Sequence, residues 1–73
     1  MYTYCTIQWI DDQSEMDIII KASDELDDKD EYVFFYGVSP NILKWAMENG
    51  AILENEWKVI SIIGVSNDIN EFI

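Results

Sequence analysis

Ser39-Pro40-Asn41-Ile42-Leu43-Lys44-Trp45-Ala46-Met47-Glu48-Asn49-Gly50 holds a helix start, a helical repeat and a helix stop within twelve residues. Ser39 is a good N-cap, and Pro40 takes the first helical position, where its missing N–H costs no hydrogen bond. Ile42, Leu43, Ala46 and Met47 recur at helical spacing, and Gly50 sits where a C-terminal cap needs a left-handed residue. The spacing predicts a helix over 40–49 with those four apolar side chains inward. Trp45 falls toward the flank, either as a half-buried anchor or as the closing piece of the core.

Outside this helix the apolar pattern is that of strands. Upstream, Thr3 to Ile10 alternates, with Cys5, Ile7 and Trp9 on one face and Tyr4, Thr6 and Gln8 on the other. Asp11-Asp12-Gln13-Ser14-Glu15 is a polar turn of hairpin length without the Gly of the tightest types. Met16 to Ser23 resumes strand character through Ile18-Ile19-Ile20, so the first two strands predict a hairpin. Asp24 to Glu31 is an acidic connector whose one apolar residue is Leu26; it reads as a solvated loop or a single helical turn capped by Ser23 or Asp24. Tyr32 to Tyr36 is apolar on both faces and reads as a central strand. Downstream, Glu54-Asn55-Glu56 marks a turn, Trp57 to Val65 a last strand, and Ser66 to Ile73 a short helix that places Ile69, Phe72 and Ile73 on the core.

The order β-β-β-α-β predicts an α+β fold in one domain over 1–73: a small antiparallel or mixed four-stranded sheet with one helix on one face and a short C-terminal helix. A three-turn helix is too narrow to cover such a sheet, at roughly 10–12 Å across. The other face needs cover from the C-terminal tail, a second copy of the chain, or a partner.

Several functional classes find no residues here. The chain has no His and no Arg, and its single Cys5, at an inward strand position, reads as a small buried hydrophobe. General acid–base catalysis most often uses His, and a nucleophilic Cys needs a basic neighbour, so no catalytic site is expected. The three glycines are isolated, which leaves no phosphate-binding loop. The acids of the connector lack the regular spacing and the Gly of a calcium loop, so no metal or cofactor is expected. The opening residues have no basic start, the apolar runs are short, and one lone cysteine fits a reducing cytoplasm.

Charge is the feature that points to a role. The protein carries fifteen acids against four lysines, a net −11. Ten of those acids fall between Asp11 and Glu31, opposed only by Lys21 and Lys29. Like charges held together oppose compaction, so a partner of opposite sign is the simplest reason to keep them. Direct binding of nucleic acid or anionic membranes has the wrong sign. Carboxylates fixed along one edge would resemble a line of phosphates and attract a basic nucleic-acid-binding groove. Asp11, Asp12, Glu15, Asp24, Asp27, Asp28, Asp30 and Glu31 are the expected contact residues, gathered by the hairpin onto one edge, with Tyr32 and Tyr36 as neighbouring anchors. The expected function is non-enzymatic occupation of a basic surface on a nuclease or similar protein. Phage inhibitors of restriction or CRISPR nucleases and bacterial immunity proteins against nuclease toxins perform tasks of this kind. The alternative is a self-associating structural domain whose acids only keep it soluble.

Overall fold

A computed structural model describes residues 1–73. Four strands, β1 (Tyr2–Trp9), β2 (Glu15–Lys21), β3 (Val33–Tyr36) and β4 (Trp57–Ser66), form one sheet in the order β3-β2-β1-β4. The helix α1 spans Pro40–Asn49. β1 pairs antiparallel with both β2 and β4, whereas β3 runs parallel to β2, so the sheet is mixed. The fold is α+β, with the expected element order.

The helix boundaries follow from their caps. Ser39 Oγ accepts the Ile42 N–H at 3.3 Å, and Gly50 closes the helix at φ 62° with its N–H directed at Ala46 and Met47 carbonyls. Leu43 and Ala46 are buried against the sheet, and Met47 is half-buried. Ile42, expected inward, is half exposed instead, since the buried stripe is centred on Leu43 and Ala46. Trp45 is 58% exposed and does not complete the core.

The main core lies between α1 and the sheet: Cys5, Ile7, Ile18, Ile20, Leu43, Trp57 and Val59, with the Phe35 ring stacked on Trp57 at 4.7 Å. Trp9 is half-buried against it. The opposite face carries a second cluster of Tyr2, Ile19, Val33 and Ile69. Its cover comes in part from the C-terminal turn Ile69–Phe72, which is a 3-10 turn. Ile69 is buried and the Phe72 ring lies 5.5 Å from Tyr4, while Ile73 stays exposed. Gly64 admits this turn, because a Cβ there would meet the Phe72 ring at 3.1 Å.

One strand departs from expectation. Tyr32 to Tyr36 was predicted as a central strand, but β3 lies at the sheet edge and begins at Val33. Parallel pairing needs a crossover of roughly a dozen residues. Residues 22–32, which contain the acidic connector, provide that crossover, with a 3-10 turn at Asp28–Asp30 as its only regular piece. α1 then carries the chain back across β2 and β1 to the other edge. There β4 gains two extra residues against β1, at Ile60 and Ile63, where the register shifts.

Candidate functional site

The acidic residues divide into two groups at opposite ends of β2. Asp11 and Asp12 are exposed in the β1–β2 turn, and Glu15 is exposed at the start of β2. Asp24, Asp27, Asp28 and Glu31 are exposed on the crossover beyond the other end. A seven-residue strand separates them by about 20 Å at roughly 3.4 Å per residue. The expectation that the hairpin gathers all of them onto one edge is therefore corrected. A turn and a strand exit flank the same strand, so its length keeps them apart. Asp17 lies between, exposed, on the same face as Glu15 and accepting the Thr6 hydroxyl at 2.6 Å. Asp17 and Glu25 are exposed acids outside the expected contact set. The Glu15-Met16-Asp17 alternation within a strand was the signal for the first.

Asp12 has a local task. Its Oδ1 accepts the Ser14 N–H at 3.0 Å and the Ser14 hydroxyl at 2.7 Å, which closes the hairpin turn. These bonds hold its carboxyl below the ordinary carboxylate range, so it remains charged. With no Gly available, Gln13 adopts the left-handed conformation, φ 62°.

Asp30 differs from every other acid. It was expected as a contact residue in an exposed turn, but only 1% of it is exposed. Tyr2 Oη donates to its Oδ1 at 2.6 Å, and Lys21 Nζ donates to its Oδ2 at 2.5 Å. Burial alone would raise the Asp30 carboxyl, but the Lys21 and Tyr2 hydrogen bonds and the Lys21 and Lys29 charges outweigh it. The net effect lies below the ordinary value. Tyr2 is shifted upward by its bond to Asp30 and by burial, and Lys21 upward by the same carboxylate. Asp30 therefore has no free face for a partner, and it drops out of the candidate surface.

The two tyrosines also separate. Tyr32 is 59% exposed beside Glu31 and remains available as an anchor. Tyr36 is half-buried in the second cluster, and its hydroxyl donates to the Asp30 carbonyl at 3.2 Å, so it supports the crossover from beneath. What the crossover presents outward is Asp24, Glu25, Asp27, Asp28, Glu31 and Tyr32, with Lys29 the sole exposed cation. No group of three or more His, Cys, Asp or Glu side chains has metal-holding geometry. Burial, with a smaller effect of Asp17, pushes the Cys5 thiol up to about 12. No helix is long and apolar enough to cross a membrane.

Comparison of the chain with family models, curated proteins and solved structures found no match.

Proposed function

We propose that this protein is a non-enzymatic, cytoplasmic binding protein whose acidic crossover occupies a basic, nucleic-acid-binding surface of a partner protein. The observation that carries the reading is the crossover itself. Five exposed carboxylates and one exposed tyrosine project from a segment whose single buried residue, Asp30, is bonded to the sheet. Carboxylates on an ordered segment can match fixed cations, and the exposed Tyr32 adds apolar area at the same place. Glu15, Asp17 and the turn acids form a second negative group toward the other end of β2, about 20 Å away at the turn, roughly six base-pair rises of duplex DNA. A nuclease or another nucleic-acid-binding protein is the class of partner this charge fits. Inhibitors of restriction or CRISPR nucleases and immunity proteins are the analogous tasks.

The test is capture of basic proteins from cell lysate by the native chain, repeated with Asp24, Asp28 and Glu31 all changed to Lys. Captured partners are expected to be released by salt and displaced by added duplex DNA, and to be lost with the reversed chain. Capture that the triple reversal leaves unchanged at every salt concentration would overturn the reading.

A second reading has its own observation. β4 is an edge strand with no acid from Trp57 to Ser66, and Ile60, Ile63 and Val65 are exposed along it. That edge suits contact with a second copy of the chain, in which case the acids serve solubility. Silent charge reversal together with dimerisation lost in Ile63→Lys would favour it.

A further inference from the structure

Between Lys21 and Val33 every residue is exposed or half-exposed except Asp30. Leu26, the one large apolar side chain of that segment, faces solvent at 76% exposure, so hydrophobic burial does not hold the crossover down. Its fastening is polar and converges on one carboxylate. Tyr2 from β1 and Lys21 from β2 grip the two oxygens of Asp30, and Tyr36 from β3 donates to its backbone carbonyl. Lys21 Nζ donates again to the Glu25 carbonyl at 2.8 Å and stands 3.8 Å from an Asp27 oxygen. Two strands are thus tied to the crossover through the Asp30 side chain, and a third through its backbone carbonyl. Such a network is stiff when complete, and costly when one member is missing.

We infer that Tyr2, Lys21 and Asp30 form a buried latch that sets the shape of the acidic crossover, making these three the positioning residues for the carboxylates and Tyr32 around them. The functional consequence rests on the binding reading above: the latch gives the outer carboxylates fixed spacing and turns Lys21 inward to Asp30, which leaves Lys29 as the one exposed cation among them. Lys21 thereby loses its role as a surface countercharge. The latch itself depends only on geometry. With the Asp30 carboxylate removed, residues 22–32 keep a short 3-10 turn, the bonds at their ends, and two single bonds, from Lys21 Nζ to the Glu25 carbonyl and from the Tyr36 hydroxyl to the Asp30 carbonyl. The loosening is therefore expected in the crossover and in the short edge strand β3, while β1, the hairpin and β4 retain their own pairing and core.

The experiment is backbone NMR relaxation at neutral pH on the native chain, Asp30→Asn and the milder Tyr2→Phe. Order parameters for residues 24–32 are expected near 0.85 in the native chain, below about 0.6 in Asp30→Asn, and between the two in Tyr2→Phe. Those of β1 and β4 should stay near 0.85 in all three. A purely structural role would lower global stability without this localised mobility. Should Asp30→Asn fail to fold, Tyr2→Phe decides alone by the same local comparison. A crossover already mobile in the native chain overturns the latch, as does one that stays rigid in the folded variants. Neither result depends on a partner, so the latch and the binding reading fail separately: the first on order parameters, the second on the surface charge reversal.

Discussion

At the scale of single residues, the chemistry is decided by who is buried beside whom. Tyr2→Phe keeps the ring and removes one bond to a buried carboxylate, which leaves Asp30 Oδ1 without its donor. Equilibrium urea unfolding is expected to show a loss of about 1–3 kcal/mol. Linkage gives that stability a pH signature. Asp30 titrates below the ordinary carboxylate value of 3.8, so its contribution is present above that pH and is lost as pH falls through the lower folded value. Lys21 and Tyr2 titrate above their ordinary values, so their contributions hold below about pH 10 and fade above it. The stability gap between the native chain and Asp30→Asn should therefore be flat from about pH 5 to 9 and shrink toward pH 3. A gap that widens toward acid would contradict the assignment. Cys5, with its thiol pushed up to about 12, should resist a thiol-reactive dye in the folded chain and react on unfolding. The partnership of residues 2, 21 and 30 was not legible in the sequence. Three separate segments meet there, and no spacing along the chain joins them.

Among the elements, α1 was readable because both its ends are chemical signals rather than hydrophobic averages. Ser39→Ala removes the side-chain bond to the Ile42 N–H and is expected to cost about 1 kcal/mol in thermal or urea unfolding. Trp45→Ala tests the outer face of the same helix. At 58% exposure the ring contributes little to the core, so stability should stay within about 0.5 kcal/mol while acrylamide-quenchable fluorescence falls. A loss of several kcal/mol would show that Trp45 belongs to the core after all. The hairpin was legible from the alternation of Cys5, Ile7 and Trp9, because one face of β1 packs under the helix. The position of β3 was not. Val33 to Tyr36 is apolar on both faces because Val33 and Tyr36 join the second cluster while Phe35 stacks on Trp57, and two packed faces do not distinguish a central strand from an edge. What separates them is the crossover. Its eleven residues allow a parallel return, yet its composition reads as a solvated loop or a single helical turn and carries no sign of strand direction. The acidic cluster was visible from composition, whereas its division between two ends of β2 required the strand direction.

For the whole molecule, the sheet order places charge and apolar edge on different strands, so two kinds of association should respond to salt in opposite directions. The crossover borders the β3 edge, while the acid-free stretch of β4 forms the other edge. The protein exposes 4663 Å², close to the roughly 4,650 Å² expected of a compact chain of 8.5 kDa. Two chains at −11 each repel at long range, and the extra residues at Ile60 and Ile63 interrupt the regular ladder of the free edge. Contact through β4 nevertheless keeps the acidic crossovers about seven strand spacings, or ~34 Å, apart across a joined sheet. That distance exceeds the Debye length of about 8 Å at physiological salt, and the length drops to about 3 Å at 1 M. Light scattering is therefore expected to give a monomer at low salt, with average mass rising as salt is added, and Ile60→Lys with Ile63→Lys should abolish the rise. Binding to a basic partner must run the other way. Screening weakens attraction between opposite charges, so association should slow as salt increases. Random duplex DNA should not bind at any salt concentration, because phosphates meet the same repulsion as a second chain without an apolar edge to offset it. A mass that falls with added salt would mean that copies of the chain associate through charged groups, and would place the self-contact away from β4.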